Sequence, residues 1–169
     1  MRFTLVDRIL ELEPGSKLVA IKNLSMAEEY LGDHFPGFPV MPGVLMLEAM
    51  TQAGAWLVRA SEDFAHSTVV LKEARNVKYA NFVEPGQTLK VTVSVVDQGP
   101  RLTQLKAQGT VDGSIAVAAR LILERSNLAE SDPSRAIADD VVKMKMRELF
   151  ALLYQPPAPA SGAEMAATP

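Results

Sequence analysis

Apolar and polar residues alternate imperfectly from Val6 to Leu12, and Glu13-Pro14-Gly15-Ser16 has the composition of a turn. Lys17 to Asn23 returns to strand character, so the opening predicts a β-hairpin. Residues 26 to 42 have no period and predict a loop, with one helical turn at Ala27 to Tyr30. From Gly43 to about Ala60 there is no breaker, and Leu, Met, Ala, Glu and Gln dominate, which predicts a long helix. Gly54 is its one weak position. Apolar side chains occupy most of its circumference, so the helix must be enclosed on nearly all sides. Strand-like runs follow at Thr68 to Leu71, Val77 to Val83, Leu89 to Val96, Leu102 to Val111 and Ser114 to Glu124. Pro85-Gly86, Gly99-Pro100 and Asp112-Gly113 are the turns between them, the last a strong hairpin signal. Two strands, an enclosed helix and a run of antiparallel strands predict an α+β domain, with a curved sheet around the helix.

The pattern changes after Arg125. Ser126 to Ser134 is a polar linker, and Asp139 to Tyr154 predicts a C-terminal helix that starts at Asp139-Asp140, where the helix dipole favours negative charge. Its apolar positions are Val141, Val142, Met144, Met146, Leu149, Phe150 and Leu153, a face that must pack on the domain or on a neighbouring subunit. The chain therefore divides into a domain over 1–125, a linker and helix over 126–154, and a Pro/Ala-rich tail over 155–169 that predicts disorder.

Composition narrows the function. The chain has 169 residues, room for one domain, and its 48% hydrophobic and 22% charged residues are an ordinary globular balance. A net charge of −3 gives no reason to expect nucleic acid. Without cysteine there are no disulfides, thiolate metal sites or cysteine nucleophiles, and His34 and His66 are too few and too far apart for a metal site. Charges interrupt the N-terminus, unlike the apolar core of a signal peptide. The one membrane candidate, Val40 to Val58, contains Pro42, Glu48 and Gln52. These features predict a soluble, cytoplasmic protein without a membrane span.

The chemistry concentrates in residues 33 to 52. Proline fixes φ and glycine permits close backbone approach, so His34-Phe35-Pro36-Gly37-Phe38-Pro39 is a stiff loop holding one imidazole in a set direction. Pro42-Gly43 opens a helix whose first N–H groups lack intrahelical partners and suit a polarised carbonyl. Glu48 and Gln52, four residues apart, share a face of that helix. A base, a carboxylic acid and a carbonyl-polarising N–H are the parts needed for proton transfer beside a carbonyl. Taken singly, a histidine before Phe-Pro-Gly is more often a loop residue, and a lone glutamate in an apolar helix more often lies at its solvent edge.

Together the residues form H-F-P-G-x-P-x-x-P-G-V-L-x-x-E-A-x-x-Q, which resembles the signature of the β-hydroxyacyl-acyl-carrier-protein dehydratases of fatty-acid synthesis. Every fixed position is present, and the resemblance covers roughly residues 3 to 125. It implies a hot-dog fold, a long central helix wrapped by an antiparallel sheet, with protomers paired as a homodimer or a trimer of dimers. It also implies dehydration of a (3R)-3-hydroxyacyl thioester to the trans-2-enoyl product, on acyl carrier protein or coenzyme A, with no metal or other cofactor. On that resemblance His34 abstracts the α-proton and Glu48 of the paired subunit protonates the departing hydroxyl. Gly43 N–H polarises the carbonyl, and Gln52 orients Glu48. Glutamate rather than aspartate at the acid position points to dehydration without isomerisation.

Departures from the family pattern fall where a carrier protein docks. Phe38, Ala80, Asn81 and Gln87 stand where basic or acidic residues are common. Lys72, Arg75, Lys78 and Arg59 are available as a substitute patch, or are solvated surface. Two other functions fit a fold of this kind: an acyl thioesterase using a helix carboxylate and water, and a non-catalytic module that binds acyl thioesters.

Overall fold

The structure is a computed structural model that describes residues 3–156. The expected tail over 155–169 lies outside the described residues except for its first two positions. Six strands form one antiparallel sheet: β1 (Arg8–Glu13), β2 (Lys17–Asn23), β3 (Thr68–Tyr79), β4 (Thr88–Gln98), β5 (Leu102–Val111) and β6 (Ser114–Ser126). Their spatial order is β1-β2-β4-β5-β6-β3, so β1 and β3 are the two edges. The predicted turn at Asp112-Gly113 is present, with φ of 49° and 81°, values that Asp and Gly tolerate and branched residues resist.

The long helix α1 (Gly43–Ser61) packs on β2, β3, β4, β5 and β6, so the sheet wraps it as the pattern predicts. Met50, Ala53 and Leu57 are fully buried, whereas Val44 in the first turn is 67% exposed, so enclosure fails at that end. Gly54 is no accident of composition. A Cβ there would lie 2.6 Å from Leu105 Cδ1 and 3.2 Å from Leu123 Cδ1, so the helix backbone presses directly on β5 and β6.

One element departs from the pattern. Thr68 to Leu71 and Val77 to Val83 are not separate strands: residues 68–79 form the single strand β3, and Val83 lies beyond it, its carbonyl accepting from Met41 N–H at 2.9 Å. Lys72, Glu73, Arg75 and Asn76 make the stretch look like a break because they are charged or polar. An edge strand tolerates such residues, and here Lys72 pairs with Glu124 on β6 at 3.4 Å. Register shifts between Leu71 and Glu73 and between Arg75 and Lys78 also interrupt the alternation that a period-2 reading relies on.

The C-terminal helix α2 runs from Ala136 to Leu153, three residues earlier than its aspartates predict. Two short 3₁₀ turns, Leu128–Glu130 and Pro133–Arg135, occupy the expected linker. No helix among the described residues is long and apolar enough to cross a membrane.

Candidate active site

His34 is held by its own loop. A 3₁₀ turn at Glu29–Gly32, two residues later than the helical turn expected at Ala27, leads into it, and the Tyr30 carbonyl accepts His34 N–H at 3.1 Å. The His34 carbonyl accepts Val40 N–H at 3.1 Å, and Phe35 and Phe38 exchange backbone hydrogen bonds of 3.1 and 2.9 Å. Gly37, at φ 82°, supplies the left-handed residue that closes this turn. The His34 ring stacks on Phe35 with centroids 4.0 Å apart, and Nδ1 lies 3.1 Å from the Val40 carbonyl. A carbonyl only accepts, so Nδ1 carries a proton, and in the neutral ring this contact selects the tautomer with the lone pair on Nε2. The loop therefore fixes the direction of the imidazole and favours one neutral tautomer.

The start of α1 follows directly. Pro42 is the cap residue, and its carbonyl takes the N–H groups of Leu45 at 2.9 Å and Met46 at 3.2 Å. The N–H groups of Gly43 and Val44 precede the first intrahelical donor, Leu45, and remain available to an oxygen atom. The Tyr79 ring closes over the same place: a Cβ on residue 43 would meet Tyr79 Cε1 at 3.0 Å. Glycine is needed there to let the ring approach. Tyr79 was not visible as a site neighbour from sequence, because it reaches α1 from the far end of β3.

Glu48 and Gln52 meet as their spacing predicts. Gln52 Nε2 donates to Glu48 Oε1 at 2.9 Å and to the Phe3 carbonyl at 3.1 Å, while Gln52 Oε1 accepts Leu5 N–H at 2.8 Å. The amide is thus anchored by the N-terminal segment and in turn fixes the carboxyl group. Both side chains line a cavity of about 500 Å³, bounded by Trp56 and Arg59 on α1 and by Val69 and Leu71 on β3. Met146 and Leu149 of α2 complete its wall. His34 is not part of this lining, so within one chain the structure brings together Glu48 and Gln52 and leaves His34 and Gly43 apart from their cavity.

Asp139 explains why α2 begins early. It is 3% exposed, and its carboxylate accepts the Ser67 hydroxyl together with the N–H groups of Leu128 at 2.8 Å and Ala129 at 2.9 Å. Burial pushes this carboxyl group up, but the hydrogen bonds from Ser67, Ala129 and Leu128, with the charge of Lys143, outweigh that and hold it below the ordinary carboxylate range. Asp139 is a clamp between α2 and the domain rather than the mark of a helix start. Further along, Phe150 packs on Trp56 and Phe64 with centroids 5.9 and 5.4 Å apart, and Leu153 is buried. The predicted apolar face divides: Met146, Leu149, Phe150 and Leu153 turn inward, while Val141 and Met144 are exposed.

The residues available as a basic patch are dispersed. Arg75 makes paired hydrogen bonds of 2.7 and 2.8 Å to Glu73, Lys72 is held by Glu124, and Arg59 points into the cavity. Among the described residues no group of three or more His, Asp or Glu side chains is placed to hold a metal ion.

Residues 1–120 match the model of the FabA-like domain. The chain is 41% identical over 113 residues, 67% of its length and 80% of the relative's, to a protein of Herpetosiphon aurantiacus named 3-hydroxyacyl-[acyl-carrier-protein] dehydratase FabZ. A protein of the same name from Symbiobacterium thermophilum is 38% identical over 133 residues, covering 79% of this chain and 94% of that one. Among solved structures, the dehydratase heterocomplex ApeI:P from Xenorhabdus doucetiae superposes with a TM-score of 0.60 at 18% identity, covering 79% of this chain and 90% of that one. That likeness concerns the fold, which is the hot-dog arrangement of a long helix wrapped by an antiparallel sheet.

Proposed function

The chain belongs to the FabA-like family, and from that membership we propose that it removes water from a 3-hydroxyacyl thioester carried on acyl carrier protein, a step of fatty-acid synthesis. His34 Nε2 takes the proton from C2, and the electron pair of that C–H bond becomes the C2=C3 double bond. The C3–O bond breaks as protonated Glu48 hands its proton to the departing hydroxyl, which leaves as water. Gly43 N–H donates a hydrogen bond to the thioester oxygen and stabilises the partial charge that develops there, and Gln52 keeps Glu48 aimed at C3. Only proton transfers are required, so the mechanism calls on no cofactor. Glu48 at the acid position gives dehydration without isomerisation.

The observation that carries this reading is Glu48, held by Gln52, in the wall of a largely apolar cavity large enough for an acyl chain. Because His34 lies outside that cavity, the working site combines His34 of one subunit with Glu48 of another. The twelve-residue edge strand β3 offers the surface on which two sheets can pair side by side. The protein should be assayed with 3-hydroxyacyl and saturated acyl thioesters of acyl carrier protein and of coenzyme A. Enoyl product without free thiol supports the proposal. Free thiol release would mean a thioesterase, and binding without turnover a non-catalytic module.

A further inference from the structure

Glu48, Gln52, Ala55 and Arg59 follow one another at steps of four, three and four residues, so they lie along one side of α1. All four line the cavity. Eleven residues at about 1.5 Å each place Arg59 about 16 Å beyond Glu48 along the helix axis. Between these two polar positions the wall is largely apolar, formed by Trp56, Val69, Leu71, Met146 and Leu149.

The Arg59 guanidinium has no assigned task in the fold. Among the described residues it has no carboxylate within ion-pair distance, and its Nε is buried without a hydrogen-bond acceptor. Its recorded neighbour is the Trp56 ring, 5.8 Å from Cζ. Glu62, one turn further on, pairs through Oε1 with Arg125 and Gln98; among the described residues its Oε2, 3.5 Å from His66, makes no hydrogen bond, and Glu62 forms no ion pair with Arg59. Nor does the helix end occupy it, since the carbonyls of Val58 and Arg59 already accept Glu62 N–H and Phe64 N–H. Burial lowers its pKa to about 10, which leaves it cationic at neutral pH. A cation whose Nε is buried without an acceptor is poorly satisfied, and a planar guanidinium matches a carboxylate through two parallel hydrogen bonds.

We propose that Arg59 reads the far end of the acyl chain, and that the cavity favours 3-hydroxyacyl thioesters whose ω end carries a carboxylate over methyl-ended chains of the same length. The identity of the reacting end rests on the dehydratase reading above; the preference at the far end does not. A methyl end would leave the guanidinium without a partner, whereas a carboxylate completes it.

The test uses matched pairs of coenzyme A derivatives over a range of chain lengths, ω-carboxy against ω-methyl. Turnover is measured with the 3-hydroxyacyl thioesters, and affinity by calorimetry with saturated acyl thioethers that cannot react. Wild-type protein should prefer the ω-carboxy member about ten- to a hundred-fold in kcat/KM and in Kd at the best-fitting length. Arg59→Met should lose that ratio. Arg59→Lys, which keeps the charge without the fork, should retain part of it and serves if the Met variant does not fold. Equal affinity of wild-type protein for both thioethers at every length would overturn the proposal, as would a preference that survives in Arg59→Met. If neither 3-hydroxyacyl thioester is dehydrated but the thioethers differ as described, the dehydratase reading fails and the role of Arg59 stands.

Discussion

The two ends of α1 are built in different ways. At its N-terminal end the functional side chains are oriented mainly by near neighbours: His34 by Val40, within a Phe35–Phe38 turn that closes on itself, and Glu48 by Gln52 one turn away, with Phe3 and Leu5 as the distant support of Gln52. At its C-terminal end the contacts span the chain. Ser67 meets Asp139 seventy-two residues later, Phe150 covers Trp56, and Met146 and Leu149 reach back to the cavity that Glu48 lines. A site made from near neighbours leaves its spacing in the sequence. A cavity wall assembled from distant segments does not.

The largest effect should come from the local end. His34→Ala and Glu48→Gln should each lower turnover by about 10²–10⁴, the usual loss for a positioned proton-transfer group, with the melting temperature nearly unchanged. Near wild-type kcat in either variant would remove that residue from the mechanism. The contrast would then have to be drawn without a catalytic end.

A smaller effect is expected from removing α2 by truncation before Ala136. Fully burying an apolar side chain is worth about 1.5–3 kcal/mol, and here Leu153 is buried while Met146, Leu149 and Phe150 are partly so. The loss should be a few kcal/mol, seen as a lower melting temperature, and opening the cavity wall should change the chain-length profile in a turnover series. A truncated protein that melts and discriminates like the full chain would mean that the C-terminal end of α1 owes nothing to its long-range cover.

The smallest effect concerns the Asp139 clamp. Its carboxyl pKa is lowered in the folded protein, so its contribution to stability is present above the ordinary carboxylate value, about 4, and is lost as pH falls through the lower folded value. Thermal melts of wild-type protein and Asp139→Asn should differ at neutral pH and converge in acid. A difference that persists unchanged at acid pH would assign the clamp to shape rather than charge.

The same contrast explains what could be read from the sequence. The enclosed helix, the hairpin at Asp112-Gly113 and the Glu48–Gln52 pair rest on period, turn chemistry and i,i+4 spacing, each a property of adjacent residues. Gly54 was visible as an exception, but not its reason, since Leu105 and Leu123 come from β5 and β6. β3 was divided because charged residues and bulges on an edge strand imitate a loop. Asp139 reads as a helix-start signal because burial cannot be seen in a dipole argument, and its partners Ser67, Leu128 and Ala129 lie elsewhere in the chain. The sequence leaves Arg59 open between a docking patch and solvated surface, although its i+11 relation to Glu48 is present in it. Only the cavity gave that relation a meaning.

The most direct test of the catalytic account is to mix His34→Ala with Glu48→Gln under conditions that exchange subunits. If each site takes its histidine from one subunit and its glutamate from the other, every mixed dimer has one intact site and one that lacks both groups. Random exchange at equal amounts makes half the dimers mixed, so activity should rise from near zero to about a quarter of the wild-type value. Mixtures whose exchange is verified by mass-tagged subunits yet remain as inactive as either parent would contradict a shared His34–Glu48 site.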